Sequence, residues 1–229
     1  MRRILLISII LFSKSVFGQL DFKEFYYPHN ECEKSSVYVY RDKFDSDNIE
    51  YWKVSIEQNC LGITTTSYTS DFLCYNIFEE RLTNQGAELM GYYDYYHDDN
   101  GNLIESPESD IISDKVYKWH DSLSYDYSVK LQSSKYGRML ISKKRVFNAY
   151  EKIKLNGVNY ETIKFQDNYT DYYVDKNREY KYLQYSWYAK GVGMIRYRRF
   201  ASNKVIELEL VKIISGREFS NLREKANRH

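Results

Sequence analysis

From Ser122 to Gln132 apolar and polar residues alternate one for one, Leu123, Tyr125, Tyr127, Val129 and Leu131 against Ser124, Asp126, Ser128 and Lys130. A period of two sends successive side chains to opposite faces, so this segment predicts a half-buried β-strand. Trp52, Val54 and Ile56 repeat the pattern, as do Ile206, Leu208 and Leu210. Ser35–Arg41 and Gly62–Ser70 are β-branched and aromatic, the composition that suits a pleated surface. Asn156-Gly157 stands between Glu151–Leu155 and Val158–Phe165 and predicts a tight hairpin, because both central residues of a type I′ turn need positive φ. Asn100-Gly101, after Tyr92–His97, predicts a second, and Asn84-Gln85-Gly86 a looser third. Gly191 and Gly193, between Tyr182–Ala189 and Met194–Phe200, predict a bulge or a close backbone approach. Two stretches depart from this period. Phe72–Leu82 places Cys74, Ile77, Phe78, Arg81 and Leu82 near helical spacing and predicts a short helix, and Ser215–Asn227 reads as a weaker one. Pro107, within the polar stretch 105–110, marks a loop. The expected fold class is mainly β, a single antiparallel sheet connected as a meander, with one or two short helices.

Residues 1–18 read as a secretory signal peptide: Arg2 and Arg3, an apolar run from Ile4 to Phe12, and Val16-Phe17-Gly18 before Gln19. The run is shorter than the roughly 20 residues a membrane helix needs. The expected organisation is a leader (1–18), one antiparallel β domain (19–215) and a basic C-terminal tail (216–229) carrying Arg217, Arg223, Lys225 and Arg228. The expected location is exported: periplasm, cell surface or medium. No later segment is apolar enough to span a bilayer.

The leader holds Arg2, Arg3 and Lys14 and no acid, so the remaining chain is nearly balanced and slightly acidic. That excludes the net basic field that nucleic-acid binding relies on. The 25 tyrosines favour strands and supply large rings that need a partner for their hydroxyls. Three cysteines, Cys32, Cys60 and Cys74, allow one internal disulfide in an exported chain, with the pairing open. Cys60 and Cys74 are close enough in sequence to lie on neighbouring strands. Cys32 lies too far beyond the apolar run to be a lipid-attachment residue.

Catalytic signatures are missing. The four histidines show no metal-ligand spacing, no nucleophile elbow surrounds a serine, and the cysteines lack paired zinc spacings. Asp98-Asp99-Asn100-Gly101-Asn102 resembles a calcium loop, but Tyr96 and Pro107 would occupy positions that require carboxylates, so it reads as a polar hairpin tip. A glycosidase needs two facing carboxylates, and Glu79-Glu80 and Glu207/Glu209 single out no such pair. Asn168-Tyr169-Thr170 matches a glycosylation sequon in a segment that suits an exposed turn. Lys143-Lys144-Arg145 with Arg196, Arg198 and Arg199 is a candidate anion site, weighed against an ordinary charged outer face. Strand alternation puts Arg196 and Arg198 on one face and Arg199 on the other.

Four segments carry a resemblance: Phe25-Tyr26-Tyr27-Pro28, Ser36-Val37-Tyr38-Val39-Tyr40, Asn156-Gly157-Val158-Asn159-Tyr160, and Trp187-Tyr188-Ala189-Lys190-Gly191-Val192-Gly193-Met194-Ile195. Together with the leader ending, they resemble uncharacterised exported β-rich proteins of Bacteroidota, of the TapB-like sort. The resemblance implies a curved, half-barrel-like sheet such as that of periplasmic lipoprotein carriers, and carries over no catalytic residue. The three cysteines and the tyrosine load depart from that pattern.

The functional expectation is a non-enzymatic exported protein whose aromatic face binds an apolar or carbohydrate-like ligand, with Tyr125, Tyr127, Trp187 and Tyr188 as contact candidates. Lipid, glycan or an envelope protein are the expected partners, with no nucleic acid, metal or cofactor. The alternatives are an envelope assembly component that recognises a protein partner and a hydrolase of unrecognised type.

Overall fold

A computed structural model describes residues 21–98, 102–105, 109–120, 124–133, 135–202 and 204–226. The leader, the Asn100-Gly101 turn and Pro107 lie outside the described residues. The alternating segments form strands β1 (Ser35–Asp42), β2 (Ile49–Ile56), β3 (Gly62–Tyr68), β4 (Cys74–Leu82), β5 (Gly86–His97), β6 (Leu103–Glu105) and β7 (Asp110–Lys118). They continue as β8 (Tyr125–Ser133), β9 (Gly137–Leu155), β10 (Val158–Tyr173), β11 (Arg178–Ala189), β12 (Gly193–Ala201) and β13 (Lys204–Ser215), before helix α1 (Gly216–Ala226). The hairpin between β9 and β10 turns at Asn156 and Gly157, with φ of 49° and 82°, as the Asn-Gly pair demands.

The sheet closes on itself. Every pairing is antiparallel and joins strands consecutive in the chain, except that β7 pairs with β5 past β6, and β1 pairs with β13 from Ser36↔Ser215 to Asp42↔Leu208. Twelve strands complete an up-and-down ring, and β6 pairs only with the far end of β5. This corrects the half-barrel expectation. Alternation reports which face of a strand is buried, whereas closure is a pairing between residues far apart in the chain. Bulges at Val39/Tyr40, Ser67/Tyr68 and Lys164/Phe165 add the local twist that bends a sheet round.

The helix expected over Phe72–Leu82 is also corrected: Cys74–Leu82 is strand β4, paired with β3 and β5. Its Asn76, Phe78 and Glu80 line the interior, so polar residues stand where a dry core would place apolar ones, and the alternation is masked. Asn168 is exposed within β10, where a turn was expected. The expected C-terminal helix is present as α1. Phe219, 3% exposed, seats it on the barrel's outer wall against Tyr51, Tyr68 and Phe72 at centroid distances of 5.4, 5.1 and 5.7 Å.

One end of the barrel is plugged by the segment preceding β1. Phe22 N–H donates to the Trp119 carbonyl at 2.6 Å, and Gly191 N–H to that of Glu24 at 2.7 Å. These bonds hold Phe22, Phe25, Tyr26 and Tyr27 inside, each ring worth roughly 1.5–3 kcal/mol of burial. Gly193 makes the fit possible. Its φ is +97°, and a Cβ there would lie 2.5 Å from Tyr27 Cδ1. A Cys32–Cys60 disulfide ties the same segment to the β2–β3 turn, with Cα atoms 4.9 Å apart and Cys74 left free.

Candidate functional site

Above the plug the barrel encloses a cavity of about 390 Å³, within the roughly 300–1,000 Å³ range of small-molecule sites. Cross-strand register builds its wall in layers. Tyr127 on β8 pairs with Lys143 on β9, Lys143 with Tyr169 on β10, and Tyr169 with Tyr182 on β11. The two tyrosine rings stack at 4.7 Å, and Arg199 on β12 packs over Tyr182 at 5.2 Å. The next layer towards the plug runs Tyr125, Arg145, Asp167, Gln184 and Arg199 by the same pairing. Across the lumen, Asn76, Phe78 and Glu80 enter from β4, and Tyr92, Asp94 and Tyr96 from β5.

The layer nearer the plug carries a polar network centred on Asp167. Arg145 Nε donates to Asp167 Oδ1 at 2.6 Å and Nη2 to Oδ2 at 3.0 Å, while Nη1 reaches the Tyr188 hydroxyl at 3.3 Å. Ser186 Oγ donates to Asp167 Oδ2 at 2.6 Å, Gln184 Nε2 to Ser186 Oγ at 3.1 Å, and Arg199 Nε to Gln184 Oε1 at 3.0 Å. Burial alone would raise the Asp167 carboxyl, but Arg145 and Lys143 beside it, with these hydrogen bonds, hold it below the ordinary carboxylate range.

The remaining charges are less well paired. Lys143, 8% exposed, lies 3.7 Å from Asp167 Oδ2, and no hydrogen bond satisfies its ammonium among the described residues. Burial, helped by Arg145, pulls its pKa down to about 7 against the attraction of Asp167 and Glu80. Glu80, 5% exposed, accepts from the Tyr26 hydroxyl, and burial pushes its carboxyl up to about 7. At the mouth, framed by Tyr96, Tyr136 and Tyr173, Asp94 accepts from Tyr96. Asp171 Oδ1 is buried with no hydrogen-bond partner among the described residues. Burial raises Asp171 to about 6; Arg199 opposes the shift and Asp94 adds to it.

Tyr127 and Tyr188 of the expected contact residues line this cavity. Tyr125 sits just behind it, edge-on to Phe165 at 6.4 Å. Trp187 lies on the outer face, where its Nε1 donates to Glu151 at 2.8 Å beneath Lys164 and Arg196. The basic cluster divides: Lys143, Arg145 and Arg199 line the interior, while Lys144 is exposed and Arg196 and Arg198 pair with Glu207 and Glu209. Sequence reading missed Glu80, Asp94, Asp167 and Asp171. Their inward position follows from the phase of alternation against Tyr92 and Tyr169, a signal that becomes readable once a polar interior is allowed. Among the described residues no cluster of three or more His, Cys, Asp or Glu could hold a metal ion, and no helix is long and apolar enough to cross a membrane.

These features define a class: an up-and-down antiparallel barrel, plugged at one end, with a charged, tyrosine-walled lumen. Among solved structures, one similar to this chain is a candidate exported protein with a YmcC-like fold from Bacteroides fragilis, with a TM-score of 0.50 and 16% identity over 83% of this chain and 99% of that one. A candidate lipoprotein of Parabacteroides distasonis is similar at a TM-score of 0.45 and 15% identity, covering 83% of this chain and 98% of that one. The hypothetical lipoprotein YmcC of Escherichia coli gives 0.36 and 10%, covering 81% and 89%. The Bacteroides fragilis likeness shows the fold alone, which is YmcC-like, and does not single out the TapB-like proteins within the expected resemblance. No family model matches the chain, and no curated protein does.

Proposed function

We propose that this chain is an exported, non-enzymatic barrel that holds a saccharide-like ligand in its lumen. One observation carries the reading: the unpartnered Asp171 oxygen is buried in a wall of tyrosine rings. A buried acceptor without a donor costs about 1–3 kcal/mol, a cost that a ligand hydroxyl would relieve. The tyrosine rings lining the lumen offer apolar surface to a sugar, while Asp94, Asn76, Gln184 and the phenols offer hydrogen bonds for its hydroxyls. The same charges disfavour a lipid tail, which would leave them desolvated and unpaired. Export is supported by the leader, by the disulfide, which suits an oxidising compartment, and by the description of the similar Bacteroides fragilis structure as an exported protein. The outer wall carries Lys152, Glu161, Arg198 and Lys212 where a membrane barrel needs an apolar band, so this barrel reads as standing in water.

The test is a titration of the protein, produced without its leader, with neutral and acidic mono- and disaccharides and with a fatty acid, followed by tyrosine fluorescence and NMR. Saturable binding of a saccharide, lost in Tyr169→Ala and with the sugar recovered intact, supports the reading. Fatty-acid binding alone, or no binding in a folded protein, overturns it.

A further inference from the structure

Resting on that reading, we infer that the ligand is an acidic saccharide and that Lys143 and Arg199 receive its anionic group. The two cations flank one ring: Lys143 Nζ lies 5.4 Å and Arg199 Cζ 5.7 Å from the Tyr169 centroid. Tyr127 and Tyr182 extend the same belt on either side, at 5.6 Å from Lys143 and 5.2 Å from Arg199. A sugar seated in the lumen against this belt would therefore meet positive charge beside the tyrosine rings.

Each cation has donors to spare. Arg199 spends Nε on Gln184, and its guanidinium has no ion pair among the described residues. Lys143 has its one ion pair at 3.7 Å, to an Asp167 already occupied by Arg145 and Ser186. Arg145 itself is consumed by Asp167 and Tyr188, so it belongs to the scaffold of the site. The acids that share the lumen have other work. Glu80 accepts from Tyr26 and Asp94 from Tyr96, and the free Asp171 oxygen is placed to accept a sugar hydroxyl. A buried guanidinium and a buried amine that a bound anion would hold protonated, each with unspent N–H donors, are the arrangement that charge-assisted recognition of a carboxylate or phosphate requires. The chemical class is thus a sugar bearing a carboxylate or a phosphate ester, and the two sources are separated by the arms of the test.

The experiment compares galacturonate and glucose 6-phosphate with galactose and glucose by calorimetry or NMR titration on the full disulfide-bonded protein, at two ionic strengths. The expected result is a preference of about tenfold or more for one acidic sugar over its neutral counterpart, about 1.4 kcal/mol or more, weakened by salt. In Lys143→Met and in Arg199→Gln the ratio falls towards one, while Lys152→Met on the outer wall keeps it. Thermal unfolding confirms that each variant is folded, and the salt dependence of the unmodified protein gives a readout free of any substitution. Equal binding of acidic and neutral sugars overturns the inference and leaves the saccharide reading standing. A preference that survives both interior variants overturns the assignment to these residues, and absence of binding by every sugar overturns both readings.

Discussion

The Tyr26 hydroxyl donates a 2.5 Å hydrogen bond to Glu80 Oε1, joining the plug to the inner wall of β4. The bond links two parts of the fold that are distant in the chain, since Tyr26 precedes every strand and Glu80 faces the lumen from β4. Both partners are buried, and Glu80 is held well above its ordinary pKa by that burial.

Stability should therefore depend on pH through Glu80. The folded carboxyl titrates at about 7 and the unfolded one at about 4.3, so the folded protein binds more protons between these values. The stabilising contribution is complete below the unfolded pKa and is lost as pH rises to about 7, a loss of order 3 kcal/mol. Asp171, raised to about 6, acts in the same direction lower in the window. Denaturant unfolding from pH 4 to 8 should show this decline, and Glu80→Gln, which can still accept from Tyr26, should flatten it and be the more stable protein at pH 8.

Breaking the Arg145–Asp167 pair from one side should be severe. Asp167→Asn leaves a guanidinium buried at 2% exposure without its counter-ion, a loss of about 3–5 kcal/mol. Equilibrium unfolding of the single variants and of a double variant with Arg145→Met should show strong non-additivity, the double change costing less than the sum of the single ones.

The disulfide should hold the plug as much as the fold. It spans 28 residues, and its loss in Cys32→Ser or Cys60→Ser should cost about 3.5 kcal/mol by the chain-entropy argument. Thermal unfolding with and without reductant measures this. The reduced parent should match the variants, and protease cleavage before Ser35 should quicken.

Gly193→Ala tests the approach of Tyr27. The new methyl meets the ring at 2.5 Å on a backbone with φ of +97°, and the strain should cost about 1–3 kcal/mol, read as a lower midpoint in denaturant. Gly157→Ala, with positive φ but open space around it, isolates the backbone part of that cost.

The strands were legible wherever one face is dry. Tyr125, Tyr127, Val129 and Leu131 alternate cleanly because every inward position of β8 is itself aromatic or aliphatic, even where Arg145 and Lys143 lie beside the two tyrosines, and Asn156-Gly157 fixes its hairpin by backbone chemistry alone. β4 was not legible, because Asn76 and Glu80 point into a polar lumen and break the pattern that identifies a strand. Ring closure was not legible either, since no local property of Ser36 reveals that it pairs with Ser215. Of the site, the tyrosines and the basic residues were visible as composition and cluster. That Lys143 and Arg199 share one aromatic ring depends on register across four strands, which only the closed sheet supplies.

The ladder between β1 and β13 also sets a schedule. The first strand to leave the ribosome, or to emerge from a membrane pore, finds its second neighbour only when the last strand arrives. Until then both edges of the growing sheet carry bare N–H and C=O groups that can pair with another chain, and no enclosed space exists for a guest. A chain shortened by one strand would be a sticky ribbon rather than a slightly weaker container, so its handling in transit would matter as much as its final stability.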